Sequence, residues 1–182
     1  MIQKRLLLDS SLLQLTIQRL CQQLIEKHDD FQNSVIIGLQ PRGIFLAKRI
    51  QKELLKMQQH EIKLGYLDTT FHRDDFRRRS APIKANETKI DFLIEGKDVI
   101  LVDDVLYTGR SIRAAMDAMI SFGRPRQVEY LVLIDRLNSR QLPIEATYIG
   151  KSVNTLPSQH VEVDLKEQGG DDNIVLINKE LQ

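Results

Sequence analysis

The stretch VILVDDVLYTGRS, residues 99–111, decides how the rest of the chain is read. Its first four residues are aliphatic without interruption, the pattern of a strand buried on both faces rather than of a half-exposed one, which would alternate. Two carboxylates follow, and then Thr108-Gly109 opens onto a helical stripe of Ile112, Ala115, Met116 and Met119. The first turn of a helix leaves backbone N–H groups unpaired and carries about half a positive charge. Thr108, Gly109, Arg110 and Ser111 therefore form a cradle for a phosphate from backbone donors and two hydroxyls. Asp103 and Asp104, at the tip of the strand, are suited to accept hydrogen bonds from vicinal sugar hydroxyls or to hold a magnesium-bound water. A phosphate cradle beside paired hydroxyl acceptors describes a ribose 5-phosphate site. Neighbouring strand residues point to opposite faces, so both carboxylates reach one sugar only if the strand ends at the pair and the backbone turns there.

An acidic pair alone commonly does no more than close a strand by capping a turn. The combination of buried strand, two acids and an anion-cradling helix start carries the reading. Gly150-Lys151-Ser152 imitates the end of a nucleotide-binding P-loop, but Glu145 stands where the first glycine of that motif is required.

Outward from this segment, the same grammar repeats. Ser10 or Ser11 is the expected cap of a helix running to about His28, with Leu13, Ile17, Leu20, Cys21 and Leu24 on one stripe. The run Val35-Ile36-Ile37-Gly38-Leu39 is a buried strand, and Ala47, Ile50, Leu54 and Met57 mark a helix that packs back on it. A weaker strand is expected over 62–67 and another over 128–134, with Gly123 and Pro125 stopping the helix between. Strands separated by helices of this length pair in parallel, with ligands beyond their carboxyl ends. Short apolar runs at Val161-Glu162-Val163 and Ile174-Val175-Leu176-Ile177 are placed as edge strands or a cap.

The totals are consistent with one domain covering residues 1–182, with 42% hydrophobic and 28% charged residues. The 26 basic and 25 acidic side chains nearly cancel, so any anionic ligand is held by a local patch rather than by the field of the whole molecule. The single cysteine, Cys21, excludes an internal disulfide and reads as a core thiol. With no membrane-spanning run and no signal-peptide pattern, a cytoplasmic protein without a membrane partner is expected. His28, His60 and His160 sit among polar neighbours without metal-ligand spacing and are placed on the surface without a role.

The string at 99–111 resembles the phosphoribosyl pyrophosphate motif of type I phosphoribosyltransferases. The resemblance extends over nearly the whole chain to the bacterial pyrimidine operon regulatory protein / uracil phosphoribosyltransferase family: GLQPRGIFLAKRI at 38–50, LDTTFHRDDF at 67–76, VLIDR at 132–136 and LPIEATYIGKS at 142–152. It implies an α/β type I phosphoribosyltransferase fold, with a central, mainly parallel sheet flanked by helices, a flexible lid at 68–91 and a base-binding hood at 135–160. It further implies that uracil and phosphoribosyl pyrophosphate give UMP and pyrophosphate, with Mg²⁺ bound with the substrate near Asp103 and Asp104.

On the same resemblance Asp103 and Asp104 take the ribose hydroxyls and Thr108, Gly109, Arg110 and Ser111 the 5-phosphate, with Val105, Leu106 and Tyr107 in the same substrate-binding loop. Pro41, Arg42 and Gly43 take the pyrophosphate, and Asp103, Asp104, Arg42 and Arg73 are the catalytic set. The family has a small polar residue where Pro41 stands, and a cis Gln40–Pro41 bond is expected, since the cis form costs only about 0.5 to 1 kcal/mol before proline. Ile134, Asp135 and Arg136 are expected at the base, next to Leu137-Asn138-Ser139, which replaces a shorter glycine-histidine pair. Arg73 belongs to the lid, while Arg77, Arg78 and Arg79 read either as lid contacts or as a solvated basic run.

Two alternatives accompany this reading. One is a transferase for another base, purine or orotate. The other is an RNA-binding attenuator of pyrimidine-operon leader mRNA that senses uridine nucleotides, with vestigial activity. RNA contact is implied for Arg19, Lys27, Arg140 and Lys151, whereas Gln18, Gln22 and above all the acid Glu145 depart from the family's pattern. The resemblance also implies a homodimer or higher homo-oligomer.

Overall fold

Burial on both faces organises the central sheet. The computed structural model describes residues 3–58, 61–73 and 85–178. Within them the chain runs β1 (Gln3–Leu8), α1 (Ser10–His28), β2 (Ser34–Leu39), α2 (Gly43–Gln58), β3 (Leu64–Leu67), β4 (Asp98–Leu106), α3 (Arg110–Met119), β5 (Gln127–Leu137), β6 (Tyr148–Asn154), β7 (Gln159–Asp164) and β8 (Asn173–Asn178). Strands β3, β2, β4, β5 and β6 form, in that order, a five-stranded sheet in which every neighbouring pair is parallel. All six residues of β2 are buried, as its apolar run requires. Alternate side chains feed two cores: Ile36, Ile100 and Leu131 pack with α1 and α2, while Val35, Ile37, Leu101 and Val132 pack with Ile112 and Ala115 of α3.

This arrangement fixes where a ligand can enter. The chain leaves β2 for a helix on one face and leaves β4, its neighbour, for a helix on the other. The two connections diverge, and a crevice opens beyond the carboxyl ends of β2 and β4.

Helix α1 buries Leu13, Ile17, Leu20, Cys21 and Leu24, the stripe read from the sequence. Its cap is Asp9, not Ser10 or Ser11: Asp9 accepts a hydrogen bond from the Leu12 amide at 2.8 Å, and a carboxylate also suits the positive end of the helix. The Cys21 thiol is pushed up to about 12, first by burial and then by Glu53. A thiol reagent is therefore expected to leave the native protein unmodified and to label it at once in denaturant; stoichiometric labelling of the folded protein would contradict this packing.

A second sheet, antiparallel and three-stranded, has the order β1-β8-β7. It differs from the hood expected at 135–160. That segment closes β5 and supplies β6, the edge strand of the main sheet, while the smaller sheet is drawn from both ends of the chain. The tail runs at 161–163 and 174–177 do form strands, as expected. Strand β1 carried no signal because Lys4 and Arg5 precede three leucines and no period of two develops.

The expected surface position of His28 is wrong. His28 is buried, with Nδ1 2.8 Å from Ser34 Oγ and Nε2 2.9 Å from Glu129 Oε2 and 3.1 Å from the Tyr148 hydroxyl. Tyr148 donates to the same Glu129 oxygen at 2.6 Å, and Lys27 pairs with the other at 2.5 Å. Polar neighbours in sequence could not disclose this, because the partners come from β5 and β6, a hundred residues on. Of the lid expected over 68–91, residues 74–84, with Arg77, Arg78 and Arg79, lie outside the described residues, as does His60. Among the described residues no helix is long and apolar enough to cross a membrane.

Candidate active site

The loop after β2 enters the crevice first. Gln40–Pro41 is cis, as expected. Gly43 then passes so close to β4 that an added Cβ would sit 2.3 Å from the Val102 carbonyl oxygen and 2.9 Å from the Asp103 Cα, so no side chain fits there. This approach carries Arg42 to the acidic pair: its Nε donates to Asp104 Oδ2 at 2.7 Å, and its Nη2 donates to the Val163 carbonyl on β7. Arg42 thus spans from the main sheet to the small one.

Strand β4 does not end at the acids, as the sequence reading required, but runs on to Leu106. The two carboxyl groups part accordingly. Asp103 accepts from the Asp104 amide at 2.9 Å and from the Tyr130 hydroxyl at 3.4 Å, whereas Asp104 turns to Arg42 and an open cavity. Burial, and then the negative charge of Asp104, push the Asp103 carboxyl well above the usual carboxylate range. Burial and then Asp103 likewise raise the Tyr130 hydroxyl.

Beyond the acids, Gly109 adopts φ +90°, a left-handed conformation open to glycine, and starts α3. A small cavity of about 120 Å³ lies against Thr108, Gly109, Arg110 and Ser111, with Tyr130 and Arg73 on its wall. Within the described residues the amides of Thr108, Gly109 and Ser111 are given to no acceptor, which is the state a phosphate cradle requires. Arg73, expected over the pyrophosphate, instead donates to Ser111 Oγ at 3.2 Å and so belongs to the cradle.

A larger cavity of about 510 Å³ opens next to Asp104, between Arg42, Val105, Tyr107 and Arg136 on one side and His160, Val161 and Glu162 of β7 on the other. Of the three residues expected at the base, only Arg136 lines it. Ile134 is fully buried in the core, and Asp135 is buried in an ion pair with Arg140. The Arg136 guanidinium lies 3.9 Å from the centre of the Tyr107 ring, and donates to Thr155 Oγ1 at 3.1 Å and to the Gln159 carbonyl at 2.9 Å. The sequence reading missed His160, Val161 and Glu162, since their place against β4 depends on a sheet that pairs the two ends of the chain.

The four cations expected to face RNA are distributed and internally engaged. Arg19 donates to the Gly150 and Ile149 carbonyls at 2.5 and 3.2 Å, and Lys151 to the Leu7 carbonyl at 2.9 Å. Lys27 and Arg140 pair with Glu129 and Asp135, six residues apart on β5, which places those two pairs about 20 Å from each other. Glu145 is exposed.

Residues 6–168 match the phosphoribosyl transferase domain family. The chain is 38% identical over 183 residues to the bifunctional protein PyrR of Bacillus cereus, covering 98% of this chain and all of that one. It is 39% identical to the bifunctional protein PyrR of Enterococcus faecalis over 95% of this chain and 96% of that one. Among solved structures, a hypoxanthine phosphoribosyltransferase from Staphylococcus aureus superposes with a TM-score of 0.70 at 20% identity, covering 97% of this chain and 92% of that one. The hypoxanthine phosphoribosyltransferase of Trypanosoma cruzi gives 0.72 at 15% identity, covering 97% of each. At such identities these two speak for the fold alone.

Proposed function

Because the chain belongs to the phosphoribosyl transferase family, in the branch of the bifunctional PyrR proteins, we propose that it transfers the 5-phosphoribosyl group of phosphoribosyl pyrophosphate to uracil, releasing pyrophosphate and UMP. The observation that carries this reading is the sequence of three receptacles along one crevice: unfilled amides at the start of α3, the acid pair at β4, and the 510 Å³ cavity beside Asp104.

In this reading the 5-phosphate rests on Thr108, Gly109, Arg110 and Ser111, with Arg73 adding charge. Asp104 accepts from the ribose hydroxyls and faces the positive charge that develops at C1 as its bond to pyrophosphate breaks. Asp103 lies beside it, against the Tyr130 hydroxyl. Arg42 is ready for the departing anion once it releases Asp104, and Pro41 and Gly43 shape that loop. The base lies in the larger cavity, near Tyr107 and Arg136, so that its ring nitrogen meets C1 as the bond from C1 to pyrophosphate breaks, and its proton passes to the departing pyrophosphate. Magnesium fits this donor set: an ion carried on a diphosphate needs only one or two carboxylates besides, and Asp104, which lines the cavity, would supply the first, with Asp103 next to it. When bound, it neutralises the leaving pyrophosphate. A cytoplasmic setting and assembly as at least a dimer belong to the same reading. Turnover of uracil, orotate, hypoxanthine and guanine with phosphoribosyl pyrophosphate, run in parallel, tests it; transfer to a purine in preference to uracil would replace the assigned base.

The relatives are named bifunctional, and the second activity that the resemblance implies is binding of pyrimidine-operon leader RNA, here through Arg19, Lys27, Arg140 and Lys151. Its support is weaker, because these cations are turned onto carbonyls and carboxylates of the protein and Glu145, between Arg140 and Lys151 in the chain, adds an exposed negative charge. Like charge facing a phosphate opposes binding. Glu145→Arg is therefore expected to tighten leader-RNA binding about ten-fold at low salt and to steepen its salt dependence. Filter binding with and without UMP measures this. No salt-sensitive retention at micromolar protein, in either form, would confine the chain to the transfer reaction.

A further inference from the structure

The segment after β5, which departs from the family at 137–139, lines none of the phosphate cavity yet is fastened to the back of its loop, where Gln141 Oε1 also accepts from Arg110 Nε at 2.8 Å. The Tyr107 carbonyl accepts from Arg140 Nη1 at 2.7 Å and from Ser139 Oγ at 3.2 Å. The next carbonyl, that of Thr108, accepts from the Gln141 amide at 3.0 Å. In a planar trans peptide the carbonyl and the following N–H point in opposite directions. Holding the Tyr107 and Thr108 carbonyls on one side therefore turns the amides of Thr108 and Gly109 to the other. That is the side on which the 120 Å³ cradle opens, and residues 139–144 line none of it.

Arg140 is itself held in place by three acceptors besides the cradle's own. It pairs with the buried Asp135, donates from Nη1 also to the Arg136 carbonyl at 2.9 Å, and donates from Nε to the Ile144 carbonyl at 3.1 Å. The single Ser139 hydroxyl proton is shared between the Tyr107 carbonyl and the Arg136 carbonyl, the latter at 2.8 Å. All three guanidinium nitrogens are thus committed to the protein, and the side chain is 23% exposed. A guanidinium fork can serve several carbonyls in one rigid geometry, which an ammonium cannot reproduce.

We propose that Arg140, seconded by Ser139, is a positioning residue of the transferase site, which fixes the peptide planes of the phosphate cradle from behind and so sets affinity for the 5-phosphate of the substrate. The inference rests on the cradle assignment made above. It gives Arg140 a place in the enzyme rather than on an RNA-facing surface, and it gives the variant segment at 137–139 a role in phosphate binding rather than in choice of base.

The test is Arg140→Lys, with Ser139→Ala as a milder variant that leaves the Asp135 ion pair intact. Binding of ribose 5-phosphate is measured by calorimetry without any base, alongside steady-state kinetics and thermal melting. For Arg140→Lys, Kd for ribose 5-phosphate and KM for phosphoribosyl pyrophosphate are expected to rise about ten-fold, the ratio that about 1.4 kcal/mol of lost hydrogen bonding gives, while kcat and KM for uracil stay within about two-fold. Ser139→Ala is expected to give about three-fold in the same two quantities. Unchanged ribose 5-phosphate affinity in both variants overturns the proposal, as does an equal rise in KM for uracil and for phosphoribosyl pyrophosphate. If Arg140→Lys fails to fold, the Ser139→Ala values decide. A wild type that binds ribose 5-phosphate but turns over no uracil would sink the assigned reaction and leave this test standing; a wild type that binds no ribose 5-phosphate overturns both.

Discussion

Asp104→Asn is expected to lower kcat/KM for phosphoribosyl pyrophosphate about a thousand-fold, since about 4 kcal/mol of charge-assisted hydrogen bonding and charge stabilisation is lost in the transition state. Asparagine keeps the size and shape of the side chain, so the change removes charge and little else. The pair that Asp104 makes with Arg42 is half open to water on the arginine side, and its loss is expected to cost less than about 1 kcal/mol of stability. Asp103→Asn makes the contrast. Asp103 is engaged by the Asp104 amide and the Tyr130 hydroxyl rather than by the open cavity, and burial and then Asp104 push its carboxyl above the usual range, so an amide there removes less of what the sugar meets. Its loss of kcat/KM is expected to be only about ten-fold. Steady-state kinetics on the two variants and on wild type decide the matter. Equal losses would mean that the two carboxylates share the sugar evenly and that their divergence at β4 has no functional weight.

The second large effect concerns the far end of the sheet. Glu129→Ala is expected to destabilise the protein by about 3 to 5 kcal/mol, because it strips a buried cluster of its only acceptor with a full charge. Glu129 is 1% exposed and serves Lys27, His28 and Tyr148 at once. Burial pushes its carboxyl up, but hydrogen bonds from Lys27, Tyr148 and His28 outweigh it and hold the group below the usual carboxylate range. A carboxyl depressed in the folded state contributes stability that is present above its unfolded pKa and is lost as pH falls through the folded one. The wild type is therefore expected to lose this contribution below about pH 4.3, where an unfolded glutamate takes up its proton, and Glu129→Gln to show a flatter decline there. Urea melts at neutral and acid pH read both. A Glu129→Ala variant within about 1 kcal/mol of wild type would show that the cluster stabilises nothing.

What the sequence disclosed and what it withheld divide along a physical line. Segments whose burial is written in their own period were legible: β2, β4, the stripe of α1, and the glycine-led start of α3 all lie where local pattern puts them. The helix start on which the cradle reading rests was legible for the same reason, since it is a local fact. What failed depended on distant partners. His28 is buried because Glu129 and Tyr148 arrive from other strands. Ile134 is buried as an inner residue of the expected strand and Asp135 because β5 runs on beyond its expected end, and His160, Val161 and Glu162 reach the cavity because β7 belongs to a sheet closed by β1. The acid pair falls between these cases, since its position was local but the direction of each carboxyl was set by a strand that did not stop.

The pairing of β1 with β8 has a consequence for the order in which the protein becomes competent. As the chain emerges from the ribosome, the main sheet, the acids and the cradle are complete by residue 154, whereas the β7 wall of the larger cavity and the strand that joins it to β1 come after. A nascent chain at that stage holds a grip for a sugar phosphate with one side of the base site missing, and its first strand lacks the neighbour that will pair with it.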